Sequence, residues 1–199
     1  MNIKKLVLAA LAVVAGASLP AAVPEISGVT MTQASDRLVT IAYTLADAPA
    51  VVTVDVQTNV TGDVWASIGG EAVWNATGDV WKKVETGSHT ITWRPDHSWP
   101  DHKIADGGAR AVVTAWALDN TPDYMAVDVS ATGGAGTQTY YPAADFVPGG
   151  VTNAEYKTSV LLMRKIMAKD VTWTMGSTTL ETKRNATRET AHRVTLTNN

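Results

Sequence analysis

Val39-Thr40-Ile41-Ala42-Tyr43-Thr44-Leu45 is the stretch from which the fold can be read. Val39, Ile41, Tyr43 and Leu45 fall on one side of an extended chain, Thr40 and Thr44 on the other. Period two with one apolar face is the signature of a half-buried antiparallel strand. The period recurs along the chain. Val52, Val54 and Val56 alternate with Thr53, Asp55 and Gln57, and Ile91 and Trp93 alternate with Thr90 and Thr92. Val112, Thr114, Trp116 and Leu118 alternate with Ala111, Val113, Ala115 and Ala117. Met125, Val127 and Val129 close the series. Turn signals stand between the runs at Ala46-Asp47-Ala48-Pro49, Gly69-Gly70, Thr86-Gly87-Ser88, Asp106-Gly107-Gly108 and Asn120-Thr121-Pro122-Asp123.

About seven strands in about a hundred residues, 23–131, match an immunoglobulin-like β-sandwich by count. Val54, Ile91, Trp93, Val112 and Trp116 are the expected centre of its core. The wording of Tyr43-Thr44-Leu45, Val52-Thr53-Val54-Asp55-Val56 and Gly87-Ser88-His89-Thr90-Ile91-Thr92-Trp93 resembles the Ig-like modules of bacterial exported proteins. That resemblance implies a core position for Trp93 and carries no catalytic residue.

Composition narrows the function classes. The chain has 199 residues, enough for one or two domains, with 16 basic against 19 acidic side chains. No basic patch of the kind nucleic-acid binding needs is present, so no nucleic-acid partner is expected. There is no cysteine. A disulfide framework, a thiolate metal site and a cysteine nucleophile are therefore excluded. No nucleophile elbow, phosphate loop or dinucleotide fingerprint occurs, and no cofactor is called for.

Residues 1–22 read as a secretory signal peptide. Lys4 and Lys5 form the positive region, Leu6 to Ala15 the apolar one, and Ala15-Gly16-Ala17 a cleavage site, with Ala21-Ala22 a second. The apolar run is too short to span a bilayer comfortably. An exported protein, periplasmic or extracellular and off the membrane once cleaved, is the expectation.

Five of the seven tryptophans lie between Trp65 and Trp99. Trp93 and Trp116 sit on alternating apolar faces and are expected in the core. Trp65, Trp74, Trp81 and Trp99 border turns and are the candidates for stacking on sugar rings, against the simpler expectation that they pack internally or against a protein partner. Thr61-Gly62-Asp63-Val64-Trp65 recurs as Thr77-Gly78-Asp79-Val80-Trp81, which points either to two similar turn-plus-strand pieces or to a chance echo. Pro95-Asp96-His97 and Pro100-Asp101-His102 form another echo. Without a completing ligand cluster, the expectation is local capping and no metal site. Asp63, Asp79 and Asp106 adjoin glycines and read as turn residues before calcium ligands.

Residues 132–158 read as a linker, opening on Thr132-Gly133-Gly134-Ala135-Gly136. The tail then carries an apolar run, Val160-Leu161-Leu162-Met163-Arg164-Lys165-Ile166, which periodicity alone leaves open between helix and strand. Val171-Thr172-Trp173-Thr174-Met175-Gly176-Ser177 follows, then a charged loop, then Glu189-Thr190-Ala191-His192-Arg193-Val194-Thr195-Leu196. Physically this is two strands joined by a polar loop of about a dozen residues.

The tail's wording resembles the opening of the formylglycine-generating-enzyme (sulfatase-modifying-factor) domain, with its Met-Gly-Ser turn, charged loop and Glu-Thr-Pro-His strand. Ala191 stands where that family usually has proline. The resemblance favours a strand for 160–166. It implies that residues 159–199 are the truncated start of a C-type-lectin-like fold. That family uses a cysteine pair, which this chain lacks, so no catalytic role carries over and no enzymatic activity is expected.

Two functional readings stand at this point. One is an exported non-catalytic accessory or targeting module ahead of such a domain. The other is a stand-alone carbohydrate-binding sandwich. A glycan or a protein is the expected partner, and nothing indicates an oligomeric state.

Overall fold

Threonine- and valine-rich alternation produces strands almost throughout. The computed structural model describes residues 22–130, 136–168, 170–177, 180–183, 185 and 187–197. The leader read at 1–22 lies, apart from Ala22, outside the described residues, as does most of the glycine-rich start of the linker.

In chain order the elements are β1 (Glu25–Gln33), β2 (Val39–Ala46), β3 (Ala50–Thr61), β4 (Val64–Ser67), a one-turn helix α1 (Gly70–Val73), β5 (Thr77–Gly78), β6 (Lys82–Val84), β7 (Gly87–Trp93) and a second short helix α2 (Pro95–Ser98). They continue with β8 (Ala109–Ala117), β9 (Tyr124–Asp128), β10 (Gln138–Tyr141), 3-10 turns at Ala144–Phe146 and Ala154–Lys157, β11 (Val160–Arg164), β12 (Thr172–Met175) and β13 (His192–Thr195). The protein is mainly β.

One sheet has the order β1-β2-β7-β5. Facing it, β3 pairs antiparallel through Ala50–Thr58 with the whole of β8, and with β4 and β6 on its other side. Val39, Ile41, Tyr43 and Leu45 of β2, with Ile91 and Trp93 of β7, point into the gap between the sheets. Ala50, Val52, Val54 and Val56 of β3 and Val113 of β8 meet them from the other side. Each fully buried Val, Leu or Ile contributes about 1.5–3 kcal/mol to such a layer.

Two core expectations need correction. On β8 the inward face carries Ala111, Val113 and Ala115, while Val112 and Trp116 are only half-buried and take the opposite phase. Both faces of that strand are apolar, so side-chain size alone chose the wrong one. The outer face is covered too. Val51 and Thr53 of β3 are buried there, and the Trp116 indole donates to Thr53 Oγ1 at 2.9 Å. Lys165 Nζ sits 5.9 Å from the Trp116 ring and donates to Asn120 Oδ1 at 3.1 Å.

Strand β9 also departs from the reading. It does not close the sandwich beside β8 but forms the middle of a separate sheet, β10-β9-β11. Leu161 lies opposite Val127 and Met163 opposite Met125 in that sheet. Pairing thus ties 124–128 to strands from both the linker and the tail, across the boundaries read at 131/132 and 158/159. The strand expected over 160–166 is present as β11.

The tail forms the expected pair. Strands β12 and β13 run antiparallel with Trp173 opposite Val194 and Met175 opposite His192. Ser177 bridges Thr190 just past the Met-Gly-Ser turn, where Gly176 takes φ 91°. Trp173 is 41% exposed and Met175 54%. With Ile166, Ala168 and Leu196 they line an open apolar face.

At the far end of the sandwich core a polar cluster closes the gap. The Tyr43 hydroxyl donates to Asp79 O at 2.6 Å. His89 places Nδ1 3.0 Å from Asp79 Oδ2 and Nε2 2.7 Å from Glu85 O. Lys82 Nζ pairs with the same Asp79 carboxylate at 3.2 Å. Burial raises the Tyr43 phenol well above its usual value. The hydrogen bond from His89, with Lys82 adding to it, holds the Asp79 carboxyl below the usual carboxylate range. A depressed folded-state value stabilises the fold above the unfolded carboxyl's value of about 3.9, and that contribution disappears as pH falls through the folded value. Urea midpoints measured from pH 6 down to about pH 3 should therefore drop less steeply in Asp79→Asn than in the parent chain. Parallel curves for the two proteins would show that the cluster contributes nothing to acid stability.

Candidate ligand-binding cleft

The four turn-bordering tryptophans do not share a surface. Trp65 follows the two-residue Gly62-Asp63 loop joining β3 to β4, and the Arg110 guanidinium lies 4.4 Å over its ring. Trp99 stacks on His102 with centroids 3.9 Å apart and planes 11° from parallel. It lines a cleft of about 350 Å³ at the mouth of the sandwich, floored by Met31, Val39, Val56 and Trp93.

Trp81 is only 8% exposed and belongs to the core, which corrects its reading as a stacking residue. The identical pentamer therefore has two unlike environments rather than two similar hairpins. In the second copy Thr77-Gly78 pairs with β7. Gly78 (φ 98°) is so close to that strand that a Cβ there would stand 2.5 Å from Thr90 O. The chain is thereby turned so that Val80 and Trp81 enter the core, leaving Asp79 in the cluster with His89.

Of the four, Trp74 is the most open, 53% exposed at the C-terminal end of α1. It borders a cleft of about 450 Å³ whose other lining side chains include Glu71, His97, Asp145, Phe146 and Asn153. Such a volume is within the range of small-ligand sites, about 300–1,000 Å³.

The walls of this cleft are held from below. The Trp93 indole donates to Ala72 O of α1 at 2.9 Å. Ser98 Oγ of α2 donates to the same carbonyl at 2.5 Å. Asn75 Nδ2 reaches Arg94 O at 2.9 Å. On the opposite wall, Val147 is buried and Phe146 packs on the Trp81 ring at 6.1 Å, as does Tyr141. Burial pushes the Tyr141 phenol up to about 12. The two walls touch at Gly70, where a Cβ would come within 2.3 Å of Phe146 Cα, so no side chain fits between them.

Asn153 Oδ1 accepts from Glu155 N at 3.1 Å, fixing the last loop of the cleft. Glu71 and Asp145 have no salt-bridge partner among the described residues, and the Trp74 indole N–H has no acceptor among them.

The paired Pro-Asp-His motifs are engaged locally. Asp96 accepts from Arg94 Nε at 3.2 Å and Nη2 at 3.0 Å. That guanidinium is the main reason its carboxyl titrates below the usual range. His102 Nδ1 lies 2.7 Å from Pro100 O. Among the described residues no three His, Asp or Glu side chains gather as a metal site would require.

Sequence reasoning reached Trp74 through its place beside a turn. It missed Glu71, Asp145 and Asn153, which come from segments far apart in the chain and carry no local signal. No family model, no curated protein and no solved structure matches the chain. Among the described residues no helix is long and apolar enough to cross a membrane.

Proposed function

We propose that this chain is an exported, non-catalytic accessory region in which an immunoglobulin-like sandwich precedes the opening strands of a domain resembling the formylglycine-generating-enzyme family. The β1-β2-β7-β5 order facing β8-β3-β4 supports the Ig-like reading, because that fold sets its first, second, fifth and fourth strands against its third, sixth and seventh, the first two of which correspond to β3 and β8. The leader pattern of Lys4, Lys5 and Leu6 to Ala15 supports export. The observation that carries the proposal is the contrast between the sandwich and the tail. The sandwich buries both inner faces. The β12–β13 hairpin pairs as the resemblance implies and keeps Trp173, Met175 and Leu196 open.

A two-stranded hairpin is marginal in water without a layer packed on it. Hydrogen exchange on the purified chain should therefore show amides of Thr172–Met175 and His192–Thr195 exchanging orders of magnitude faster than those of Ala111–Ala117. Protection of the hairpin equal to that of β8 would show a self-sufficient tail and remove the proposal's main support.

A further inference from the structure

We propose that the cleft beside Trp74 is a binding site for an uncharged oligosaccharide, a role that does not depend on what the tail resembles. Three observations converge on it. The Trp74 indole offers an open apolar face, the surface on which the C–H face of a pyranose packs, and a polar edge with a free N–H. The carboxylates of Glu71 and Asp145 border the same space without a cation to neutralise them, and hydroxyl groups are the donors such acceptors take. Both walls are held in place before any ligand arrives. Gly70 brings them into backbone contact, and Trp81 anchors one while the Trp93 and Ser98 bonds to Ala72 anchor the other. Preorganisation of this kind lowers the entropic cost of holding a weakly bound ligand.

The charge selects the ligand class. Two unpaired carboxylates repel uronates, sulfated sugars and phosphates at neutral pH, since like charges brought together cost binding energy. Trp74 is the one open aromatic face of the lining, since Phe146 is packed on the Trp81 ring and Val147 is buried, and this disfavours a peptide with bulky side chains.

The test is calorimetric titration of the full chain with cellohexaose, xylohexaose and chitohexaose, with an oligogalacturonate as the anionic counterpart. At least one uncharged oligosaccharide should bind and the oligogalacturonate should not. Trp74→Ala should weaken that binding by roughly tenfold or more, the usual cost of removing an aromatic anchor. Trp65→Ala, whose ring lies under Arg110 elsewhere on the surface, should leave it unchanged. The Glu71→Gln/Asp145→Asn double variant removes only exposed carboxylates, and it should weaken binding severalfold with the melting temperature intact. That variant decides the matter even where Trp74→Ala perturbs α1. No binding of any uncharged sugar at millimolar concentration overturns the proposal. So does preferential binding of the oligogalacturonate, or affinity unchanged in both cleft variants.

Discussion

Replacing Trp81 by alanine is expected to lower the free energy of unfolding by about 3–5 kcal/mol, the range for a large aromatic removed from a packed interior. Trp81 is central to two regions at once. Its backbone N–H donates to Val52 O at 2.8 Å and its carbonyl accepts from Tyr140 N at 2.9 Å, joining β3 to β10. Its indole donates to Ala76 O at 3.1 Å, and its ring carries Tyr141 and Phe146. It does this at φ 61°, a backbone conformation that costs a non-glycine residue roughly 1 kcal/mol. Alanine keeps that cost and loses the packing that offsets it. Glycine relieves it, so Trp81→Gly should be no less stable than Trp81→Ala, the reverse of the usual order at a buried extended position. Urea unfolding of the three proteins measures both differences. A loss below about 1 kcal/mol for Trp81→Ala would place the ring outside the core.

How far the sequence discloses this fold depends on whether a residue's environment is local. On β2 every inward position is bulky and apolar, and Thr40 and Thr44 mark the outward face, so the phase was legible. On β8 alanine and valine occupy one face and valine, threonine and tryptophan the other. Only the cover on the outside of that sheet, where Trp116 bonds Thr53 and Lys165 reaches its ring, explains why the larger set can face away from the inter-sheet core. The partners of β9 were equally hidden, because strand pairing is decided by later segments, one of them more than 30 residues on, and pattern reports burial rather than neighbour. The twin pentamers make the same point at the site. Trp65 and Trp81 share four preceding residues, yet one rests under Arg110 and the other lies in the core. The difference is made by β7, which captures Thr77-Gly78 and has no counterpart beside Thr61-Gly62. Trp74 was legible as a candidate because it is next to a turn. The cleft around it was not, since Asp145 and Asn153 reach it only through the packing of Phe146 and Val147 on the sandwich.

Trp93→Ala should be as damaging as the loss of Trp81, about 3–5 kcal/mol, for a different reason. Trp93 ends β7 opposite Val39, is 4% exposed, and closes the inter-sheet core beneath the Trp99 cleft. Its indole N–H also donates to Ala72 O, with Ser98 Oγ at 3.2 Å, so it ties α1 to the sheet. Ala72 O keeps its bond from Ser98 in the variant, and no buried carbonyl is orphaned. The loss is therefore mainly apolar transfer plus the cavity left behind. Trp93→Phe separates the two contributions. It keeps a six-membered aromatic ring and removes the N–H with the rest of the pyrrole ring, and should cost up to about 1.5 kcal/mol for the bond plus a packing deficit smaller than that of alanine. Denaturant midpoints at constant slope give both values. If alanine and phenylalanine cost the same, the hydrogen bond to α1 rather than the packed ring would be what Trp93 contributes. If neither costs more than a few tenths of a kcal/mol, β7 does not face the core and the sandwich would need a different pairing of its sheets.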